Sequence, residues 1–186
     1  MANTFRIFGF AGSLRNGSYN KALLRTAGEL LPIDAELETF ALDLIPPFNA
    51  DLEQQPPEKV KEFKAKIKTA DALLIASPEY NYSVPGVLKN ALDWGSRPHG
   101  DNCFDEKPVA IMGASIGMLG TARAQYHLRQ SCVYLNMHPL NRPEVMVPFA
   151  QDKIDKDGNV TDEKTRAKIK ELIESLAVWA RLLKKA

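Results

Sequence analysis

The stretch Phe5-Arg-Ile-Phe-Gly-Phe-Ala-Gly-Ser-Leu-Arg-Asn-Gly-Ser-Tyr-Asn20 joins three local patterns in sixteen residues. Phe5 to Phe10 is a short apolar run with β propensity, Ala11 to Tyr19 is rich in small and polar residues, and a helical pattern runs from Asn20 to Leu31. Strand, loop and helix in that order form the first half of a parallel crossover unit. The same order recurs downstream. Ala72 to Ala76 and Val109 to Ala114 are continuous apolar runs, the pattern of strands covered on both faces. Each leads through a loop into a helical segment, Pro85 to Trp94 in one case and Thr121 to Met137 in the other. Leu37 to Phe40 and Glu144 to Val147 complete the strands, Glu58 to Ala70 and Thr161 to Lys185 complete the helices, and Asp43 to Pro57 reads as a proline-rich connection. The alternation predicts an α/β fold in three layers, with a parallel sheet between helices, occupying residues 1–186 as one domain. In such sheets ligands sit beyond the carboxyl ends of the strands, so the loops beginning near Ala11, Ser77 and Ser115 are the candidate site.

Composition narrows the function classes. In 186 residues, 24 Lys and Arg face 23 Asp and Glu, a net charge of +1 that gives no overall field for nucleic acid or an anionic membrane. Cys103 and Cys132 are too few for a disulfide framework, which fits a reducing, cytoplasmic setting. The first residues lack a basic stretch before an apolar core, and the uncharged run Pro108 to Ala122 is shorter than the roughly 18 residues of a membrane span, so a soluble, untargeted chain is expected. His99, His127 and His138 share no ligand spacing with each other or with the cysteines, and no metal is expected. Asp152 to Gly158 has a superficial likeness to a calcium loop, but lysines fall at the first and last ligand positions, so a turn is the better reading.

The first loop suits an anion. Its small residues let backbone approach a phosphate at the start of a helix, Arg15 adds charge, and Ser13, Ser18 and Asn20 offer side-chain donors. Gly12 to Gly17 has the glycine spacing of a P-loop, yet Ser18 and Tyr19 stand where that motif needs Lys followed by Ser or Thr. Gly9, Gly12 and Gly17 also miss the dinucleotide spacing, which leaves a mononucleotide phosphate as the better match. The second loop, Ser77-Pro-Glu-Tyr-Asn-Tyr-Ser-Val-Pro-Gly86, has two readings. Its backbone amides and Tyr80 can frame a planar heteroaromatic ring, or the segment is a proline-stiffened turn whose tyrosines cover the core. Trp94 reads as core.

Gly12-Ser-Leu-Arg15 with Ser18 and Asn20, then Ser77 to Gly86 followed by Leu88-Lys-Asn-Ala-Leu-Asp-Trp94, resembles the NADPH-dependent FMN reductases with a flavodoxin-like fold. Within that family the chain is most similar to the bacterial quinone reductases also described as chromate reductases. The likeness extends through Gly117 to Arg129 and Arg142-Pro-Glu144. It implies a five-stranded sheet in the order 2-1-3-4-5 holding one FMN, with NADPH or NADH as hydride donor and quinones, chromate or other small oxidants as acceptors. Carried onto this chain, it assigns the phosphate to Ser13, Arg15, Ser18 and Asn20. The flavin ring falls to Pro78, Glu79, Tyr80 and Asn81, and its other edge to Ser115, Ile116 and Gly117. The sequence shows no set of serine, histidine and carboxylate, and hydride transfer through a flavin requires none, because the cofactor carries the reactive atom.

Two other classes remain at this level: a flavodoxin-like electron carrier without a nicotinamide site, and a nucleotide-binding regulatory domain. Assembly is also open. Tyr82, Arg123, Tyr126 and Arg129 are interface-prone side chains, and Glu144 offers a carboxylate to Arg123 or Tyr126 of another subunit, but all five can equally pack within one chain. The resemblance implies a homodimer that pairs further into a tetramer.

Overall fold

A computed structural model describes residues 4–184. Met1 to Asn3 and the expected last helical residue, Lys185, lie outside this range. Strand β1 (Phe5–Ala11) leads into helix α1 (Tyr19–Glu29) and then β2 (Ala35–Phe40). Helix α2 (Glu58–Thr69), strand β3 (Ala72–Ala76), helix α3 (Gly86–Gly95), strand β4 (Pro108–Ala114) and helix α4 (Ala122–Tyr134) follow. Two short strands, β5 (His138–Pro139) and β6 (Val145–Val147), precede the long helix α5 (Glu163–Leu183). All pairings are parallel, in the order β2-β1-β3-β4-β5, with β6 also paired to β4.

The continuous apolar runs are explained by the alternation of their side chains. Ala72, Leu74 and Ala76 of β3, with Ala110, Met112 and Ala114 of β4, pack against α1 and α5 through Leu23, Leu172 and Leu176. Their neighbours Leu73, Ile75, Val109 and Ile111 face the other layer, where Phe63 of α2, Leu88 of α3 and Leu128 of α4 meet them. A cluster of Phe8, Phe10, Phe40 and Phe63 fills that second layer, with ring centroids 5.3–6.0 Å apart. Trp94 is buried as expected and donates from Nε1 to the Pro46 carbonyl at 2.8 Å. Asn90, one turn earlier on α3, accepts from the Phe48 amide at 2.7 Å and donates to Pro46 O at 2.9 Å. These two side chains fasten the proline-rich connection to the core.

The expected strand Glu144 to Val147 is present as β6, and a further short strand, β5, precedes it. β5 pairs with the first residues of β4 and β6 with its last, while residues 140–144 detour between them. Pro139 has no N–H to continue the ladder, and the Asn141-Arg142-Pro143 segment carries a second proline. The helix expected to reach Met137 ends at Tyr134, because Asn136 adopts a left-handed φ of 52° and turns the chain into β5. Asp152 to Gly158 is a turn closed by an Ile154–Val160 bridge, and the Asp155 carboxylate accepts from the Asp157 and Asn159 amides at 3.0 and 2.8 Å. Cys103 and Cys132 are buried, and desolvation pushes their thiols up to about 12 and about 11. Among the described residues no helix is long and apolar enough to cross a membrane.

Gly113, near the end of β4, is where the loops after β3 and β4 close on each other. A methyl group there would overlap Thr121 Oγ1 and the Ser77 carbonyl oxygen. Because one of these is backbone, Gly113→Ala is expected to destabilise the fold by about 1–3 kcal/mol. A urea unfolding curve should show a lower midpoint at unchanged slope; an unshifted midpoint would refute the close approach.

Candidate functional site

Parallel strands deliver their following loops to one edge of the sheet, and the three loops named from sequence meet there. Gly12 N donates to Ala76 O and Ser77 N to Met112 O, both at 2.9 Å, so each loop leaves its strand still bonded to the next one. Asn20, buried in the first turn of α1, spans the far side. Its Nδ2 donates to Ala114 O and its Oδ1 accepts from Ala114 N, each at 3.0 Å. The Ser115 amide is bonded to Val147 O at 3.1 Å, and the Ala150 amide to Ser115 O at 3.0 Å, which ties the third loop to the segment after β6.

The first loop carries the anion-binding features. Ser18 caps α1, its hydroxyl accepting from the Lys21 amide at 3.4 Å, and the first turn of the helix contains no acidic residue. Ser13 is buried, Arg15 is exposed, and the Arg15 guanidinium carbon lies 5.0 Å from the centre of the Tyr19 ring. Lys21 Nζ reaches back to Leu14 O at 3.2 Å. The helix dipole, the capping hydroxyls and these cations all favour negative charge at this point.

The second loop is a tight hairpin. Tyr80 and Ser83 exchange backbone hydrogen bonds at 3.1 and 3.0 Å around Asn81 and Tyr82, whose φ values of 49° and 66° are both left-handed. Two such residues in succession form a mirror-image turn, which Asn tolerates and Tyr seldom adopts. The Tyr82 ring is held by Arg123, whose guanidinium stands 3.5 Å above its centre. Tyr80 Oη approaches Ser13 Oγ at 3.5 Å, so the aromatic loop touches the phosphate-type loop. The loop is a turn, but its tyrosines do not cover the core: Tyr80 is 49% and Tyr82 66% exposed, and the hairpin sets them at the edge.

Helix α4 points a second N-terminus at the same edge, but a carboxylate already occupies it. Thr121, at its N-cap, has a φ of 76° and makes no side-chain cap. Glu79, coming from the second loop, accepts instead from the Arg123 and Ala124 amides at 3.1 and 3.2 Å, and from Arg123 Nε at 2.6 Å. The Glu79 side chain is 8% exposed. Of the helices that begin at this edge, α4 thus carries a carboxylate on its N-terminus, whereas α1 and α3 have no acidic residue in their first turn, and of these two only α1 has a side-chain cap, the Ser18 hydroxyl.

The Asn20 side chain spends one Nδ2 hydrogen and its Oδ1 on Ala114, and the Glu79 carboxylate is taken up by α4 and Arg123. The reason is the same in both: each is the nearest polar group able to satisfy backbone amides buried at a loop junction. Of the five residues left open between an interface and the chain itself, Glu144 accepts from Tyr126 Oη at 3.3 Å within the chain. Arg123 is paired to Glu79 and Arg129 donates to Leu140 O at 2.9 Å, again within the chain. Tyr82 and Tyr126 remain largely exposed. Pro78 is buried, Ile116 and Gly117 are exposed, and Ser115 Oγ bonds Gly117 O at 3.3 Å. Sequence reasoning missed Thr121 and Gln125. Gln125 is fully buried and donates to Thr121 Oγ1 and Val145 O, both at 3.0 Å, which locks α4 to β6. A glutamine on the apolar face of an otherwise amphipathic helix was the signal.

Residues 5–152 match the family model described as NADPH-dependent FMN reductase. The chain is 48% identical over 185 residues to an NAD(P)H-dependent FMN reductase of Pseudomonas aeruginosa, covering 99% of this chain and 100% of that one. It is 43% identical over 170 residues to a 2-hydroxy-1,4-benzoquinone reductase of a Burkholderia species, covering 91% and 93% of the two chains. Among solved structures, the flavoenzyme NAD(P)H:(acceptor) oxidoreductase FerB of Paracoccus denitrificans superposes with a TM-score of 0.88 at 33% identity, over 96% of this chain and 98% of that one. The parallel sheet, the carboxylate-free α1 terminus and these likenesses agree, and the chain belongs to the NADPH-dependent FMN reductase family.

Proposed function

We propose that this chain is an FMN-containing NAD(P)H:quinone reductase, a single FMN-binding domain over residues 1–186 that works in the cytoplasm, where its two unpaired thiols stay reduced. The observation that carries the reading is the first turn of α1, which has no acidic residue and offers Ser13, Ser18 and Arg15 to an anion, where the α4 terminus is neutralised by Glu79. That donor set fits one phosphate monoester.

In this reading Ser13, Arg15 and Ser18 hold the FMN phosphate. The backbone of Pro78 to Asn81 lies along one edge of the ring and that of Ser115, Ile116 and Gly117 along the other. Bound there, FMN supplies a two-electron relay, taking a hydride from NADPH or NADH and passing two electrons to an acceptor. The chain's part is to position and to shield. Tyr80, Ile116, Met118 and Leu119 expose apolar surface at the loop edge, which excludes water from a ring placed beside them. N–H groups of the two irregular loops can bond the carbonyl and nitrogen rim of the ring and stabilise negative charge that develops on reduction. Donor and acceptor use the same uncovered face in turn, which makes the kinetics ping-pong. Quinones are the acceptors favoured, supported by the quinone reductase names of the relatives, and chromate is a further oxidant of the same type. The exposed Tyr80, Tyr82, Ile116, Met118 and Leu119 also support a homodimer built over this edge, pairing further into a tetramer.

Arg15→Ala is expected to weaken FMN by about 1–3 kcal/mol through loss of a charge-assisted contact, read by fluorescence titration; equal affinity of the wild type for FMN and riboflavin would overturn the phosphate assignment. Initial rates with NADPH and a benzoquinone should give parallel double-reciprocal lines, and converging lines would exclude the shared face. Light scattering at micromolar concentration should return at least the mass of two chains, whereas a fully active monomer would remove the assembly from the reading.

A further inference from the structure

Strand β6 lies at a rim of the sheet and has a partner on one side only. It pairs with β4 in the register Met112 to Val145, Gly113 to Met146 and Ala114 to Val147. The Val147 carbonyl faces β4 and its loop, where it accepts from the Ser115 amide at 3.1 Å. Backbone groups alternate in direction along a strand, so the N–H and C=O of Met146 point the other way, out of the sheet. Among the described residues no loop or helix backbone bonds either group.

A cleft of about 530 Å3 runs beside this edge. Val145 to Pro148 form one wall, and Asp162, Lys164, Thr165 and Lys168 at the start of α5 form the other, with Lys153 of the preceding loop. The Asp162 carboxylate is spent on the helix, accepting from Thr165 N and Oγ1 at 2.8 and 2.6 Å. The three lysines are left to the cleft. Among the described residues none of them is within ion-pairing distance of a carboxylate, whereas Lys170 of the same helix meets Glu174.

The strand edge and the lysines share a spacing. Lys164 and Lys168 are four residues apart on α5, about 6 Å along its axis, and alternate residues of a strand are about 6.8 Å apart. Val145 and Val147 turn their side chains into the α5 layer. A strand laid against β6 would turn every second side chain to that same layer, where Lys164 and Lys168 stand. The occupant is constrained by both features. A free anion would use the lysines and leave the Met146 backbone unpaired, and an apolar strand would do the reverse. A second copy of this chain, paired edge to edge through its own β6, would set its lysines against these and be repelled.

We propose that the β6 edge docks an extended acidic segment of a partner protein. The segment adds to the sheet as a strand through the Met146 N–H and C=O, and acidic side chains at alternate positions meet Lys164 and Lys168, with Lys153 beside them. No residue assigned to the flavin takes part, so the inference stands apart from the cofactor reading.

The test uses the full chain and two fluorescent peptides of one composition, in which glutamate and valine either alternate or are grouped. Polarisation at low salt should show the alternating peptide binding at least about tenfold more tightly than the grouped one. Lys164→Glu combined with Lys168→Glu should weaken the alternating peptide at least about tenfold and leave quinone reductase activity unchanged. Met146→Pro, which removes the outward N–H, should weaken it as well. Hydrogen exchange at the Met146 amide of the wild type should slow when the alternating peptide is added, a change that ionic contact with the lysines alone would not produce. Equal binding of the two peptides, unchanged exchange at Met146, or full binding by the double lysine variant would each overturn the proposal. A wild type without quinone reductase activity would instead overturn the functional reading, so the two failures are separable.

Discussion

Two hydrogen bonds between the Asn20 amide and the backbone of Ala114 join positions 94 residues apart and set the geometry of the whole ligand edge. A parallel sheet leaves its last N–H and C=O groups pointing at the loops, and those near the centre are too buried for water to satisfy. One side-chain amide offers both a donor and an acceptor, so it closes the end of β4 where a backbone strand would otherwise have to continue. Fixing Asn20 fixes the first turn of α1, and with it the cap at Ser18 and the direction of the open helix terminus. The third loop starts from the same Ala114, so the phosphate-binding features and the proposed ring-binding amides are positioned against a common reference.

The electrostatics of the edge follow from how each helix end is satisfied. α4 begins on a left-handed Thr121 that makes no side-chain cap, and Glu79 reaches across from the neighbouring loop to take that role. The same carboxylate pairs with Arg123, and Arg123 covers the Tyr82 ring, so one acidic side chain links a helix terminus, a cation and the hairpin. Neutralising the α4 end makes it a poorer position for an anion than the α1 end, which adds the Ser13 and Ser18 hydroxyls and Arg15.

The strands were legible in the sequence because a strand covered on both faces is apolar at every position, as Ala72 to Ala76 shows. The loops were legible because glycine, proline, serine and asparagine cluster between those runs. Side-chain destinations were less so. Asn20 and Glu79 are polar residues inside binding-type motifs, and a motif does not say whether its polar group turns outward to a ligand or inward to an unsatisfied amide. That choice is made by the ends of β4 and α4, which are distant in sequence. The short β5 was hidden for a similar reason: Pro139 and Pro143 signal an interruption, and pairing ahead of it depends on the edge that the first residues of β4 offer. The partners of Tyr126 and Arg129 stay open in the sequence because the detour of residues 140–144, which brings Glu144 and Leu140 O beside α4, has no local signature.

The burial of the two cysteines acquires a meaning beyond packing once a quinone is the proposed acceptor. A quinone is an electrophile as well as an oxidant, and thiolates add to its ring to give a stable thioether. Cys103 lies among Phe104 and its neighbours in the core, and Cys132 faces the sheet from α4, both kept protonated by the apolar surroundings that push their thiols up. In that reading a thiol-arylating compound would meet the loop edge while the protein's own sulfur nucleophiles stay protonated and enclosed in the core, out of its reach.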